Sequence, residues 1–295
     1  MSSITNFVRK TSNKYIPPHI LQSYRRNRHI SNLLKGGLTT LVDPNIRSMT
    51  QRLANLKGKY TGQRCIIMGN GPSLNQMDLS VFNKEYLWGT NKCYLLFDRI
   101  SWRPTFYTAI DTRVVPDIAE DIVKLEHELP ATTFFFPILF RMQGIIPSQS
   151  NVLWYYEKKL DETQLPNGMF SQHASNFVYA ARTVTIAALQ LAVFLGFNPI
   201  YLIGCDTSYS LSSSVQKDEK DENRLISTAD DDTSHFDPRY FGQGSKWHVP
   251  HVERMIFHYQ QSKNFCDSIG VKVYNATVGG KLEVFPRVNY RELFD

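Results

Sequence analysis

The hydrophobic pattern predicts an α/β domain that starts near Lys57, because short apolar runs alternate with stretches of helical periodicity. Short apolar runs bounded by turn residues are typical of buried strands. Such strands are predicted at residues 64–68, 86–90, 105–110, 132–136, 152–156, 200–204 and 271–274. Since helical segments alternate with these runs, we expect a Rossmann-like, mostly parallel sheet flanked by helices.

Three segments have helical periodicity. Residues 115–129 carry apolar side chains on one face, residues 180–195 are almost entirely apolar and end at Gly196, and a third helix starts near Pro250 and ends before Gly270. Residues 206–247 are mostly polar and predict a long irregular loop. A loop of this length is normally functional or disordered.

The composition supports a large core, since 42% of the 295 residues are apolar. The formal charge of +6 hides an asymmetry. Residues 1–60 hold 11 Lys/Arg and one acidic residue, a net charge of +10, whereas residues 61–295 hold 22 Lys/Arg and 26 Asp/Glu, a net charge of −4. We therefore predict a basic, helical N-terminal segment over residues 1–60 and a Rossmann-like domain over residues 61–295.

The same charge distribution argues against a nucleic-acid partner, because the larger part of the chain is mildly acidic. The four cysteines lie far apart without a CxxC pair, which is typical of reduced core residues. The apolar stretch 183–195 is interrupted by Gln190 and is too short to span a bilayer, and the N-terminus lacks the apolar run of a signal peptide. We expect a cytoplasmic protein.

The basic segment has two interpretations. Residues 19–35 combine scattered apolar side chains with Arg25, Arg26, Arg28 and Lys35. A basic amphipathic helix binds anionic lipid, which predicts a peripheral protein at the inner face of the membrane. Alternatively, this helix packs on the domain or on a partner subunit of a homo-oligomer.

A glycine-rich turn follows the first predicted strand, with the sequence Gly69-Asn70-Gly71-Pro72-Ser73. Between a strand and a helix, such a turn lets backbone N–H groups approach a nucleotide, because no Cβ intervenes. It is not a P-loop, since the chain has no GxxxxGK[ST], and it lacks the third glycine of the dinucleotide fingerprint. A tight turn without a ligand remains the alternative.

Polar residues follow the other predicted strands. Asn91 and Asp111 each close a strand, and Asp206, Ser208 and Tyr209 follow the strand at 200–204. Ligands of open α/β sheets bind outside the carboxyl ends of the strands, so these residues are candidates for one crevice. Each could also simply cap the next segment. If they do form one crevice, a role for the Tyr209 hydroxyl there is to donate to a departing phosphate.

Three histidines, His235, His248 and His251, lie at and after the polar loop. No carboxylate or cysteine completes a recognisable zinc set with them. A general base is the better interpretation, since histidine titrates near neutral pH, although a structural histidine is an equal alternative for each. The acidic run at residues 230–232 has two interpretations, a solvated loop or a ligand set for a divalent ion.

Four motifs give the chain a family resemblance: GNGPSL at 69–74, GTNKCY at 89–94, the run from Ala181 to Asp206, and GGKLEVFP at 279–286. With these motifs, residues 60–295 resemble the MptE-like proteins. The group is similar in fold and in GNGPS to the family 42 sialyltransferases, which use CMP-sialic acid without a metal ion. The resemblance implies a sialyltransferase-like GT-A variant of the Rossmann-like fold.

The same resemblance implies roles for individual residues. The turn Asn70 to Ser73 would hold a cytidine nucleotide, and Asn91 would contact its phosphate or sugar. Asp111 stands where the sialyltransferases have asparagine, and Thr183 and Thr185 stand in their Thr-Ser-Gly. The nucleotide-binding set is then Gly69, Asn70, Gly71, Pro72, Ser73, Asn91, Asp111, Thr183, Thr185 and Asp206. The implied catalytic set is His248 as base, with His235 second, and Tyr209 on the leaving phosphate.

The implied activity is inverting transfer from a nucleotide-activated, CMP-linked, sialic-acid-like sugar to a glycan acceptor in bacterial surface polysaccharide synthesis, with no cofactor required. Two alternatives stay open. One is an MptE-like pyrophosphokinase that uses ATP and magnesium, in which the acidic run at 230–232 would matter. The other is a nucleotide-binding scaffold without catalysis.

Overall fold

All seven predicted strands lie in one parallel sheet in the computed structural model. The structure describes Ser48 and residues 51–159, 170–218 and 221–294. The strands are β1 (Cys65–Met68), β2 (Tyr86–Thr90), β3 (Phe106–Thr108), β4 (Thr133–Pro137), β5 (Val152–Tyr155), β6 (Glu157–Lys159), β7 (Val178–Ala180), β8 (Ile200–Ile203), β9 (Val215–Asp218), β10 (Asp221–Ser227), β11 (Lys246–His248) and β12 (Val273–Asn275). The α-helices are α1 (Val114–Asp117), α2 (Ala119–Glu128), α3 (Ile138–Met142), α4 (Val184–Leu195) and α5 (Val252–Ser268). Short 3-10 helices span Pro72–Gln76, Leu79–Phe82, Asn91–Leu96 and Tyr290–Leu293.

The strand order reverses at β1. The central sheet has the order β12-β8-β1-β2-β3-β4-β5, and every neighbouring pair is parallel. The chain therefore builds outward from β1 to β5 and then returns to place β8 and β12 on the other side. This confirms the α/β, Rossmann-like class. A crevice outside the carboxyl ends of the strands is expected at such a reversal.

Helix α4 forms the centre of the core on one face of the sheet. Its sequence is apolar almost throughout, and Ile186 and Leu189 are buried in one cluster with Ile67 and Trp88 of the sheet. Gly196 ends the helix with φ 94°, as the sequence predicted. The helix begins at Val184, four residues later than predicted.

The late start of α4 has a local cause. Residues 178–180 form β7, which pairs with β6 in a separate parallel ladder. Thr183 then caps the helix by accepting a hydrogen bond from the Thr185 N–H at 3.3 Å. The predicted helix over 115–129 is likewise divided into α1 and α2, because Ile118 leaves the helical conformation (φ −111°, ψ 13°).

Residues 51–60, at the end of the predicted basic segment, pack on the domain. Leu53 is buried in the core, Tyr60 stacks on Phe197 at 4.7 Å, and the Gly58 N–H donates to the Phe194 carbonyl. Residues 1–47 lie outside the described residues, so the membrane and partner-subunit interpretations stay predictions. In the part of the chain that is described, no helix is both long and apolar enough to cross a membrane.

The prediction of an irregular loop over 206–247 is wrong in part. β9, β10 and β11 form an antiparallel sheet within and just beyond it. The pattern gave no sign of β9 because its sequence, VQKD, is largely polar and half of it is exposed. This small sheet carries His248 at the end of β11.

The ends of β1 and β8 are held together by what we call the β1–β8 contact, formed by Gly69, Gly71 and Ser73 with Gly204 and Asp206. Ser73 donates from its N–H and its hydroxyl to the Asp206 carboxylate, at 3.1 and 2.6 Å. A Cβ at Gly71 would overlap that carboxylate, and a Cβ at Gly69 would overlap the Gly204 carbonyl. Close approach of these two segments therefore requires both glycines.

Glu126 on α2 is a buried carboxyl group, 3% exposed. Neither of its side-chain oxygens has a hydrogen-bond partner among the described residues. Burial raises the pKa of Glu126 to about 7. The free energy of unfolding therefore depends on the ionisation of Glu126, and so on pH.

We expect Gly71→Ala to lower the free energy of unfolding by about 1–3 kcal/mol, because the added methyl group displaces the Asp206 carboxylate. Gly71 has an extended backbone (φ −72°, ψ 160°) that any residue adopts. The loss of stability in Gly71→Ala therefore measures the overlap with Asp206 and not backbone strain. Chemical denaturation measures it. In an Asp206→Ala background the same change should lower stability less; an equal loss would mean that Asp206 is not the reason for glycine.

We expect Glu126→Gln to stabilise the protein above pH 7 and to change little near pH 4. The folded-state pKa is about 7 and the ordinary value is 4.5, so the contribution of Glu126 to stability is fully present below pH 4.5 and is lost as the pH rises through 7. At about 1.4 kcal/mol per pKa unit, the gain at high pH is roughly 3 kcal/mol. Glu128→Gln, an exposed position on the same helix, is the control. Equal pH profiles for wild type and Glu126→Gln would refute the assignment.

Candidate active site

A cleft of about 760 Å³ opens at the carboxyl ends of the central strands. Residues after β1, β2, β3 and β8 all contribute to its walls, as the reversed strand order predicts. The predicted site residues that line it are Gly69, Asn70, Gly71, Asn91, Asp111, Thr183, Thr185, Asp206, Tyr209, His235 and His248. Pro72 and Ser73 are not among the lining residues. The Ser73 hydroxyl instead donates a hydrogen bond to the Asp206 carboxylate.

Asp206 holds neighbouring segments of the cleft wall together. Burial raises the pKa of its carboxyl group, although the two hydrogen bonds from Ser73 act in the opposite direction. The Asp206 carbonyl also accepts from the Lys281 N–H at 2.7 Å. Nucleotide binding by Asp206 and Ser73 stays a prediction, and their observed contacts fix the turn.

Asn70 brings a buried side-chain oxygen to the cleft wall. Its Nδ2 donates to the Thr90 hydroxyl at 2.9 Å, and Thr90 in turn donates to the Met68 carbonyl at 3.0 Å. Since the Thr90 proton is used on Met68, Thr90 must accept from Asn70, which fixes the orientation of the amide. Asn70 Oδ1 is buried and has no hydrogen-bond partner among the described residues. A ligand that donates a hydrogen bond would satisfy it.

Backbone strain is concentrated in this cleft. In the described part of the chain, Asn91 (φ 46°) and Thr207 (φ 50°) are the only non-glycine residues with positive φ, and both line the cleft. The conformation is unusual for asparagine and rarer for β-branched threonine. Strain of this kind costs of order 1–3 kcal/mol and is found preferentially at functional sites. The sequence singled out Asn91 and gave no sign of Thr207.

His248 is paired with Asp111, a residue 137 positions earlier in the chain. The His248 Nδ1 lies 3.1 Å from Asp111 Oδ2, while Asp111 Oδ1 accepts from the Arg113 N–H at 2.7 Å. Burial alone would raise the pKa of Asp111, but the hydrogen bonds from His248 and the Arg113 backbone hold it below its ordinary value. An ionised Asp111 keeps the proton on Nδ1 and leaves Nε2 as an acceptor, which is the form a general base needs.

His235 forms a second pair, with Asp232. The two side chains are 2.7 Å apart, and Asp232 also accepts from the Ser234 and Phe241 N–H groups. The His235 ring stacks on Tyr240 with ring centroids 3.9 Å apart. The side chain of His235 is 12% exposed, whereas that of His248 is 45% exposed. His248 is therefore the more accessible of the two.

Tyr209 lies near His235, with ring centroids 6.5 Å apart. Burial raises the pKa of Tyr209 to about 12, so its hydroxyl stays protonated and can donate at neutral pH. Tyr209 follows the strained Thr207 by two residues, and its position therefore depends on the exit from β8.

Positive charge in the cleft comes from residues that sequence reasoning missed. Arg113, Arg182 and Arg254 line the cleft, and Arg113 also pairs with Asp221 at 2.6 Å. Thr183 and Val184 bring the N-terminus of α4 to the same wall, and no acidic residue lies in its first turn. Arginines and a helix N-terminus favour an anionic ligand group. Arg182, directly before the predicted Thr183, was the available signal.

The acidic run at 230–232 does not form a ligand set for one ion. Asp230 accepts from the Gln243 N–H, Asp231 accepts from the Ser212 hydroxyl, and Asp232 pairs with His235. Within residues 51–159, 170–218 and 221–294, no three His, Cys, Asp or Glu side chains lie close enough to share a metal ion. The requirement for a metal stays untested.

Two solved structures are similar to this chain in fold. The MAf glycosyltransferase from Magnetospirillum magneticum AMB-1 has a TM-score of 0.47 and 15% identity, over 83% of this chain and 38% of that one, so this chain spans about two fifths of its length. The sialyltransferase CstII from Campylobacter jejuni, in complex with the substrate analogue cytidine-5'-monophosphate, has a TM-score of 0.42 and 15% identity, over 77% of this chain and 85% of that one. No curated protein matches the sequence.

The sequence matches the family model described as 6-hydroxymethylpterin diphosphokinase MptE-like over residues 42–211. That range is more than half of the chain and includes β1, the glycine turn, α4 and the exit from β8 as far as Tyr209. His235 and His248 lie beyond it, on the segment that carries the small antiparallel sheet. The chain belongs to the MptE-like family.

Proposed function

We propose that this protein is a glycosyltransferase that moves a sugar from a nucleotide-activated donor to a hydroxyl group of a glycan acceptor. The observation that carries the proposal is the His248–Asp111 pair, because it places an oriented imidazole at the carboxyl ends of the strands, in the same cleft as the glycine turn. The resemblance of GNGPS and Asn91 to the sialyltransferase motifs favours a CMP-linked, sialic-acid-like donor. Bacterial surface polysaccharide synthesis is the corresponding setting.

The mechanism is a direct displacement with inversion. His248 Nε2 takes the proton from the acceptor hydroxyl. At the same time, the oxygen of that hydroxyl forms a bond to the anomeric carbon of the donor sugar. The bond from that carbon to the nucleotide phosphate oxygen breaks, and the phosphate leaves with the electron pair. The Tyr209 hydroxyl, Arg182 and the N-terminus of α4 oppose the charge that develops there.

Family membership favours a second candidate, transfer of diphosphate from ATP with magnesium. The same fold can host either chemistry. Magnesium prefers oxygen ligands, and the carboxylates of residues 230–232 are engaged with three different partners. Residues 230–232 therefore do not converge on one ion, and the preference for sugar transfer rests on the His248–Asp111 pair.

We expect CMP to raise the melting temperature of the protein without magnesium, because a ligand that binds only the native state stabilises it. The measurement is a thermal-shift panel of CMP, CDP, UDP, GDP and ATP, each with and without magnesium. A shift with ATP that requires magnesium would instead support the pyrophosphokinase. Nucleotide binding without turnover of any donor would indicate a scaffold protein.

We expect His248→Ala to lower the rate of sugar transfer by about 10²- to 10⁴-fold, the usual effect of removing a general base. Asp111→Asn should also lower the rate, because it removes the charge that orients the imidazole. His127→Ala, on α2 and outside the cleft, is the control. If His248→Ala transfers sugar at the wild-type rate, His248 is not the base. The same assay then tests His235.

A further inference from the structure

A small pocket opens beside the main cleft. Its volume is about 30 Å³, enough for roughly two water-sized groups. The lining residues that the pocket shares with the cleft are Tyr209, Ser234, His235, Phe241, Trp247 and Pro250. The pocket and the cleft therefore adjoin along these six residues.

The walls of this pocket are mainly apolar. Leu211, Val215, Phe241 and Trp247 are among its lining residues. The rings of Phe241 and Trp247 stack in parallel, with centroids 4.2 Å apart and an interplanar angle of 2°. Stacking fixes these two side chains, so the pocket has a preformed shape.

Two serine hydroxyls and the Asp232 carboxylate of the pocket are already paired within the protein. The Ser234 hydroxyl donates to the Ser210 carbonyl at 2.7 Å and accepts from the Ser210 N–H at 3.0 Å. The Ser212 hydroxyl donates to Asp231 at 2.9 Å, and Asp232 accepts from His235 and two backbone N–H groups. A hydroxyl group that left water for this pocket would lose its hydrogen bonds, whereas an apolar group would gain contact.

We propose that this pocket binds the methyl end of an N-acetyl group on a sugar substrate, an inference that rests on the proposed function. The volume and the apolar walls fit the methyl and its adjoining carbon. His235 stands at the boundary between pocket and cleft, and its Nδ1 proton is directed to Asp232. Nε2 is then the acceptor for the amide N–H of the same substituent. His235 thus selects and positions the sugar, while His248 serves as the base.

Two sources can supply the N-acetyl group, the donor sugar and the acceptor sugar, and calorimetric titration distinguishes them. The donor arm compares CMP-N-acetylneuraminic acid with the counterpart that carries a hydroxyl in place of the acetamido group. The acceptor arm compares the methyl glycosides of N-acetylglucosamine and glucose, with CMP present. In the arm that supplies the group, we expect the acetylated probe to bind about tenfold more tightly.

Val215→Phe fills the pocket and should reduce that ratio toward one while leaving the affinity for CMP unchanged. Gln216→Phe is the matched control, because Gln216 is an exposed neighbour on β9 that does not line the pocket. If Val215→Phe does not fold, Val215→Leu serves in its place.

Ratios near one in both arms for wild type, or equal ratios for the two Phe variants, would overturn the pocket assignment. Failure of wild type to bind CMP would instead overturn the proposed nucleotide, and the acceptor arm, run without CMP, would still test the pocket.

Discussion

The β1–β8 contact is the constraint on which the rest of the cleft depends. Ser73 holds the Asp206 carboxylate with two hydrogen bonds, and the glycine at position 71 leaves room for it. From the other side, the Lys281 N–H binds the Asp206 carbonyl, where a Cβ at Gly280 would come within 2.9 Å of the Asp206 Cα. The glycine turn, the exit from β8 and the C-terminal segment therefore fix one another. Thr207, which has a left-handed conformation, directly follows Asp206.

The two histidine–aspartate pairs differ in the environment that the fold gives them. His235 is stacked on Tyr240 and nearly buried, so its ring has one orientation and little access to solvent. His248 is at the end of an edge strand of the small sheet and is much more exposed. A general base must reach the acceptor hydroxyl and exchange its proton, which suits His248. A fixed, buried imidazole suits the positioning of a substrate.

The sequence predicted the sheet well because strands buried on both faces are short apolar runs, and all seven of these runs became strands. It also predicted that Asn91, Asp111 and Asp206 line one crevice, since polar residues at strand ends meet at one edge of a parallel sheet. It could not pair His248 with Asp111, because 137 residues separate them and only the fold brings them together. The small sheet was missed because polar strands such as β9 lack an apolar alternation. The burial of Glu126 was also missed. A single acidic residue does not disturb the apolar periodicity of an amphipathic helix, so the pattern does not show whether that residue is buried.

The two proposed chemistries differ in how the charge of a bound phosphate would be neutralised. Magnesium at a nucleotide site is usually held by one or two carboxylates together with the substrate phosphates. In this cleft, Asp206 accepts hydrogen bonds from Ser73, and Asp111 is paired with His248. The arginines and the N-terminus of α4 provide positive charge on the cleft wall without an ion. If either carboxylate left its partner to bind magnesium, the β1–β8 contact or the His248 pair would be weakened, and for this reason we propose that protein groups neutralise the phosphate charge.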